Sequence, residues 1–164
     1  MTEQTNGKDW MGANRGMTPE EIKRFLAGPI VARIATIDPD GMPYITPVWQ
    51  EWDGEALWVI PRERTTFVQH LKTNPNVAVS CALDVSPYTR VLMRGKAEIV
   101  FGPAIMEGQC LEIANRMATR YLGEHGPEYL VPTLDRPRYL VKIVPDSLVS
   151  WEGVEWARKY VEKS

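Results

Sequence analysis

The chain has 164 residues, of which 44% are hydrophobic and 24% are charged, and its formal net charge is −2. This length suits one domain with its own core, and the composition excludes a chain that is disordered throughout. The near-neutral charge provides no basic surface for nucleic acid, so we expect no nucleic-acid partner.

The sequence predicts neither a signal peptide nor a membrane-spanning segment, and its cysteines do not indicate a metal site. No apolar run approaches membrane length, and the polar start at residues 1–16 lacks the apolar stretch of a signal peptide, so a cytoplasmic location is expected by default. Cys81 and Cys110 have no second Cys or His at metal-ligand spacing. Both are expected to be reduced core residues, and no metal site is expected.

Organised structure is expected to begin at Thr18. Residues 1–17 are polar and indicate a flexible tail, although Trp10 and Met11 lie within them, whereas residues 18–164 are expected to form a single domain. In Thr18-Pro19-Glu20-Glu21, a capping Thr precedes a Pro suited to the first turn, and a Glu follows three residues after the cap. A helix is predicted from there to about Ala27, where Gly28-Pro29 ends it.

The next elements are two strands with an interruption. Residues 30–37 and 43–52 alternate as strands on either side of a tight turn at Asp40-Gly41. Pro47 donates no hydrogen bond and interrupts the second strand. It marks either a bulge or an edge strand, or a break whose free amide and carbonyl groups meet the polar edge of a flat heteroaromatic ligand.

A third strand at residues 56–60 ends in a run of cationic and hydroxyl side chains at the start of a helix. Arg62 and Arg64 precede Thr65 and Thr66 there. Since a helix N-terminus presents unpaired amide donors, this run could cradle a phosphate. The alternative is an N-cap Thr beside a solvated basic turn.

Three further strands and one long helix complete the pattern. Strands are predicted at residues 77–83, 90–101 and 139–144, and a helix at residues 104–122. Six short antiparallel strands with helices in their connections predict a mainly β, α+β fold built as an open or closed barrel. In such a meander, the Thr46-Pro47 interruption and the basic turn are neighbours, so one ligand could lie across both.

Four stretches carry a resemblance by their order and spacing. They are Ile34-Ala35-Thr36 through Asp40-Gly41-x-Pro43, Thr46-Pro47-Val48-Trp49, residues 71–77 and residues 91–95. From about Thr18 to Trp151, the chain resembles the pyridoxamine 5'-phosphate oxidase-like, FMN-binding split barrels, including their branch that uses the deazaflavin coenzyme F-420. The resemblance implies a six-stranded antiparallel split β-barrel with flanking helices.

The resemblance also implies a cofactor site at a homodimer interface. The residues expected around the isoalloxazine ring are Thr46, Pro47, Val48 and Trp49, with Ile60 and Pro61 behind it. The residues expected at the ribityl phosphate are Arg62, Arg64, Thr65 and Thr66. Arg90 and Trp151 are expected to approach the same ring from the partner subunit.

Two positions depart from the family pattern. Phe67 occupies the place where many members carry a phosphate-binding Lys, and Arg62 or Arg64 could supply the missing charge. The end of the chain lacks the Arg-x-His segment that pyridoxamine 5'-phosphate oxidases use for their substrate. Oxidation of vitamin B6 is therefore not expected.

The resemblance leads to an oxidoreductase that uses FMN and transfers hydride between the flavin and a small conjugated substrate. A reductase dependent on coenzyme F-420 is the alternative, and a non-catalytic flavin or haem binding protein is a third hypothesis. No catalytic residue is singled out, since His70 and His125 are both expected at the surface. Trp49, Trp52 and Trp58 could line an aromatic pocket or pack in the core.

Overall fold

The fold is known from a computed structural model, which describes residues 16–153. The helices are α1 (Pro19–Leu26), α2 (Thr66–Leu71), α3 (Gly108–Leu122) and a 3-10 helix (Gly126–Thr133). The strands are β1 (Ala32–Ile37), β2 (Pro43–Val48), β3 (Glu51–Trp52), β4 (Leu57–Val59), β5 (Asn76–Ala82), β6 (Arg90–Ala104) and β7 (Arg138–Trp151).

The strands of the described residues form one antiparallel sheet in the order β2-β1-β5-β6-β7-β4-β3. The mainly β, α+β class is confirmed, but the sheet has seven strands instead of six. The extra strand arises because the predicted second strand ends at Val48 and restarts at Glu51. Between them, the backbone N–H of Gln50 donates to the Tyr121 hydroxyl at 3.1 Å instead of to a neighbouring strand.

The first helix forms as its local signals predict. The Thr18 side chain accepts from the backbone N–H of Glu21, and the Glu21 side chain accepts from the backbone N–H of Thr18. Just before the cap, the backbone N–H of Met17 donates to Ser150 on β7 at 3.2 Å. Trp10 and Met11 of the predicted tail, and Trp156 and Tyr160 near the other end, lie outside the described residues.

The two long strands exceed their predicted lengths. β6 continues to Ala104, so α3 begins at Gly108 and not at residue 104. β7 runs from Arg138 to Trp151, past the predicted end at residue 144. It passes Pro145 because the register between the two strands shifts beside Gly95. A Cβ at Gly95 would overlap the Val144 carbonyl oxygen, so this crossing requires glycine.

Two apolar clusters hold the elements together. The larger packs β1, β5, β6 and β7 against α1 and α2, and the smaller packs α3 and the 3-10 helix against β4 and β7. Cys81 lies in the first cluster and Cys110 in the second, both as free buried thiols, as predicted. Among the described residues, no helix is long and apolar enough to cross a membrane.

Candidate functional site

A cavity of about 350 Å³ opens where the two clusters meet. Its volume lies within the range of small-molecule sites. β2 and the segment after it form one wall, the segment after β4 forms the floor, and α3 with the 3-10 helix forms the opposite wall.

Eight of the twelve predicted cofactor residues line this single cavity. They are Thr46, Pro47, Val48, Trp49, Ile60, Pro61, Arg62 and Thr65. Arg64 lines a neighbouring groove instead, and Thr66 lines neither space. The Thr65 side chain makes no capping hydrogen bond to α2. Its hydroxyl is therefore available for a hydrogen bond to a ligand.

Pro47 lies on β2, an edge strand of the sheet, opposite Arg33 of β1. An edge strand accommodates a residue that cannot donate a hydrogen bond to a neighbouring strand, so Pro47 fits the edge-strand interpretation without any ligand.

The turn before β2 also forms, with Gly41 at φ 83°. Asp38, and not Asp40, closes it by accepting from the backbone N–H groups of Asp40 and Met42.

Aromatic side chains build the apolar wall around Trp49. Its ring stacks on Tyr121 of α3 with centroids 4.9 Å apart and planes 4° apart. Tyr129 of the 3-10 helix approaches it from another direction, at 5.7 Å and 47°. Tyr129 lines the cavity and is 57% exposed, which makes it the most exposed of the lining residues that α3 and the 3-10 helix contribute.

Two arginines face the polar end of the cavity. Arg62 and Arg138 are paired by an isolated backbone bridge, and both line the cavity. One terminal nitrogen of Arg138, Nη2, donates to the Thr133 hydroxyl at 3.0 Å, whereas its Nε is buried without a partner. Burial and the positive charge of Arg62 both lower the pKa of Arg138.

This arrangement fits an anionic ligand, because an anion in the cavity would neutralise the repulsion between the two guanidinium groups that line it. Arg138 was not predicted from the sequence, because it lies far along the chain from the basic run that includes Arg62 and Arg64. Its position depends on β7 pairing with the segment after β4, where the backbone N–H of Tyr139 donates to the Pro61 carbonyl at 3.0 Å.

Phe67, which stands where many family members carry a phosphate-binding Lys, is 1% exposed and forms part of the apolar wall.

Arg90 and Trp151 do not line the cavity of their own chain. They face each other across β6 and β7, with the Arg90 guanidinium 4.9 Å from the Trp151 ring. On each strand they lie two positions from the cross-strand pair of Leu92 and Val149, so all four side chains point to the same face of the sheet. We call this the outer face, because it is the face opposite the apolar core. Pro47 lies in the same cross-strand row as that pair, through Arg33 and Ser80.

Two expectations about ring side chains need correction. His70 is 7% exposed and not at the surface, because Thr36 Oγ1 lies 2.9 Å from its Nδ1 and Tyr44 packs against its ring. His125 is exposed, as expected. Of the three tryptophans considered for a pocket, only Trp49 lines the cavity, whereas Trp58 is buried and donates to Asp53 at 2.7 Å.

Comparison with known proteins agrees with this architecture. The family model described as pyridoxamine 5'-phosphate oxidase matches residues 18–151. A search of curated proteins gave no significant match. Among solved structures, an F-420 reductase is 27% identical with a TM-score of 0.62, over 77% of this chain and 94% of the other.

A second structural relative is a conserved hypothetical protein from Mycobacterium tuberculosis, 26% identical with a TM-score of 0.65 over 90% of each chain. A haem storage protein from Vibrio cholerae shares the fold at 20% identity, with a TM-score of 0.61 over 84% of this chain and 97% of the other. The family match extends from the cap of α1 to the last residue of β7. The chain therefore belongs to the pyridoxamine 5'-phosphate oxidase family.

Proposed function

We propose that this protein is a homodimeric oxidoreductase that uses FMN to transfer hydride to or from a small conjugated substrate, with coenzyme F-420 as the alternative cofactor. One observation carries the proposal: a single cavity joins an aromatic wall to an arginine pair whose buried Nε has no partner. A flavin has the same two parts, a planar ring and an anionic phosphate. The relative described as an F-420 reductase supports the deazaflavin alternative.

In this proposal, the cofactor supplies the hydride chemistry when it is bound. The side chains of Val48, Trp49 and Ile60 would contact the ring and exclude water from it. Arg62 and Arg138 would hold the phosphate by charge-assisted hydrogen bonds, with the Thr65 hydroxyl beside them. No acid or base of the chain is assigned a role.

The proposed dimer uses the outer face of the sheet. Leu92 is 38% exposed and Val149 is 55% exposed on that face, although both are large apolar residues. Their row ends at Pro47, so a second copy packed there would reach the rim of the cavity. Arg90 and Trp151 would then face the partner's cofactor.

The activity can be tested anaerobically with reduced FMN or reduced coenzyme F-420, and with menadione as a conjugated acceptor. Two electrons and a proton pass as hydride from the reduced cofactor, and a second proton from solvent completes the hydroquinone. We expect cofactor oxidation, followed by absorbance, to exceed the rate without protein. A cofactor that binds but is oxidised no faster would make the chain a non-catalytic binding protein.

A further inference from the structure

A groove of about 520 Å³ lies beside the cavity and shares Arg62 with it. Its walls are the turn after β4 and the end of the 3-10 helix with the segment that leads from it to β7. The residues lining the groove are Arg62, Glu63, Arg64, Pro132, Thr133, Arg136 and Pro137. Three of these seven are arginines and one is acidic.

Backbone pairing holds the two walls of the groove together. The backbone N–H of Glu63 donates to the Pro137 carbonyl at 3.2 Å, next to the bridge between Arg62 and Arg138. Thr133 links the groove to the cavity, because it lines the groove while its hydroxyl accepts from Arg138. The cavity and the groove therefore adjoin at Arg62 and at the hydrogen bond between Arg138 and Thr133.

The charges of the groove are largely uncompensated. In the described part of the chain, neither Arg62 nor Arg64 makes an ion pair, and the one ion pair of Arg136 is with its chain neighbour Asp135, at 3.6 Å. Asp135 is 80% exposed, so solvent screens that pair. Glu63 is the one carboxylate in the lining, and three guanidinium groups outweigh it.

We infer that Arg62, Arg64 and Arg136 form a second anion subsite beside the pair of Arg62 and Arg138, so that a ligand with a second phosphate or carboxylate binds more tightly than one with a single phosphate. The inference rests on the proposed function for the identity of the ligand as a cofactor. It distinguishes between cofactors, because FMN ends in a single phosphate, whereas FAD and coenzyme F-420 carry further phosphate or carboxylate groups.

Inorganic anions test the subsite without any cofactor. Calorimetric titration should give the wild-type protein at least about tenfold higher affinity for tripolyphosphate than for phosphate, since only the longer anion spans both spaces. The double variant Arg64→Met/Arg136→Met should lose that preference. Arg24→Met is the matched control, because it removes an exposed cation on α1, away from the groove.

Cofactor titrations then identify the second anionic group. The double variant should bind FMN as the wild type does, while its affinity for FAD or for coenzyme F-420 falls about tenfold. A loss confined to FAD indicates a second phosphate, and a loss confined to coenzyme F-420 indicates carboxylates. If the wild type binds no cofactor yet prefers tripolyphosphate, the proposed function fails and the subsite stands. Equal affinity for both inorganic anions, or a preference that survives in the double variant, would overturn the subsite.

Discussion

Tyr121 fixes the cavity residue Trp49 through both its ring and its hydroxyl. The two rings stack at 4.9 Å, and the Tyr121 hydroxyl donates to the Ile30 carbonyl at 2.7 Å while it accepts from the Gln50 backbone N–H at 3.1 Å. Since Gln50 directly follows Trp49, one tyrosine anchors both the side chain and the backbone of this wall.

Tyr121→Phe should therefore remove the hydrogen bonds that hold this wall without leaving a cavity in the core. The ring remains, but the Gln50 backbone N–H loses its partner and the Ile30 carbonyl keeps only the Gln50 side-chain amide, at 3.4 Å. We expect this to lower the free energy of unfolding by about 1–2 kcal/mol. Cofactor affinity should fall with it, as measured by fluorescence titration. Tyr44→Phe is the control, because within the described residues the Tyr44 hydroxyl makes no hydrogen bond and the residue does not line the cavity. Equal effects of the two variants would refute the anchoring role.

A second anchor of the same segment is the carboxylate of Glu51. Arg116 binds it through Nε at 3.0 Å and Nη2 at 2.6 Å, and Arg120 reaches it at 3.3 Å. Glu51→Gln leaves two guanidinium groups beside a residue with 10% side-chain exposure. We expect unfolding by urea to report a loss of about 2 kcal/mol.

The exposed ion pair of Arg33 with Asp84 provides the comparison for Glu51. Its partners are 38% and 83% exposed, so Asp84→Asn should cost less than about 0.5 kcal/mol. A Glu51→Gln loss no larger than this would mean that the network does not hold β3 against α3.

The sequence predicts the features that depend on residues close together in the chain, and it misses those that depend on contacts between distant elements. The α1 cap and the Asp40-Gly41 turn were predicted because their hydrogen bonds join residues four or fewer apart. The strand break at Trp49 and Gln50 was missed, because it depends on Tyr121 from α3. Arg138 was missed for the same reason, since only the pairing of β7 brings it to Arg62.

Acid should weaken the turn between β3 and β4 through Asp53. Burial opposes ionisation of this carboxyl, but N–H donors from Ala56, Trp58 and Glu55, together with the charge of Lys142, outweigh it and hold its pKa below the ordinary value. A carboxyl whose pKa is lower when folded stabilises the fold above its unfolded pKa of about 4, and that stabilisation is lost as the pH falls below it.

Asp53→Asn measures this contribution directly. At pH 6, we expect the variant to be less stable by about 1 kcal/mol, because the Trp58 N–H loses its charged acceptor. The gap between wild type and variant in urea unfolding should narrow as the pH falls from 5 to 3. A gap that is constant over this range would show that the Asp53 charge adds nothing.

If the protein dimerises through the outer face of the sheet, a charged residue in place of Leu92 should prevent dimer formation. Leu92→Glu places a charge on the outer face, opposite Val149, and burying it between two copies would be costly. Light scattering coupled to size exclusion should find a dimer for the wild type and a monomer for the variant. Leu122→Glu, at an exposed apolar residue on the end of α3, should remain dimeric. A monomeric wild type would contradict the dimer.

Titration of the purified protein with FMN and with coenzyme F-420, for the wild type beside Arg138→Met, tests the central claim most directly. The account predicts saturable binding of at least one cofactor to the wild type. Affinity should fall about tenfold in Arg138→Met, which removes half of the arginine pair, and should be unchanged in Arg24→Met. Absence of saturable binding, or equal affinity in the wild type and Arg138→Met, would contradict the assignment of this cavity as the cofactor site.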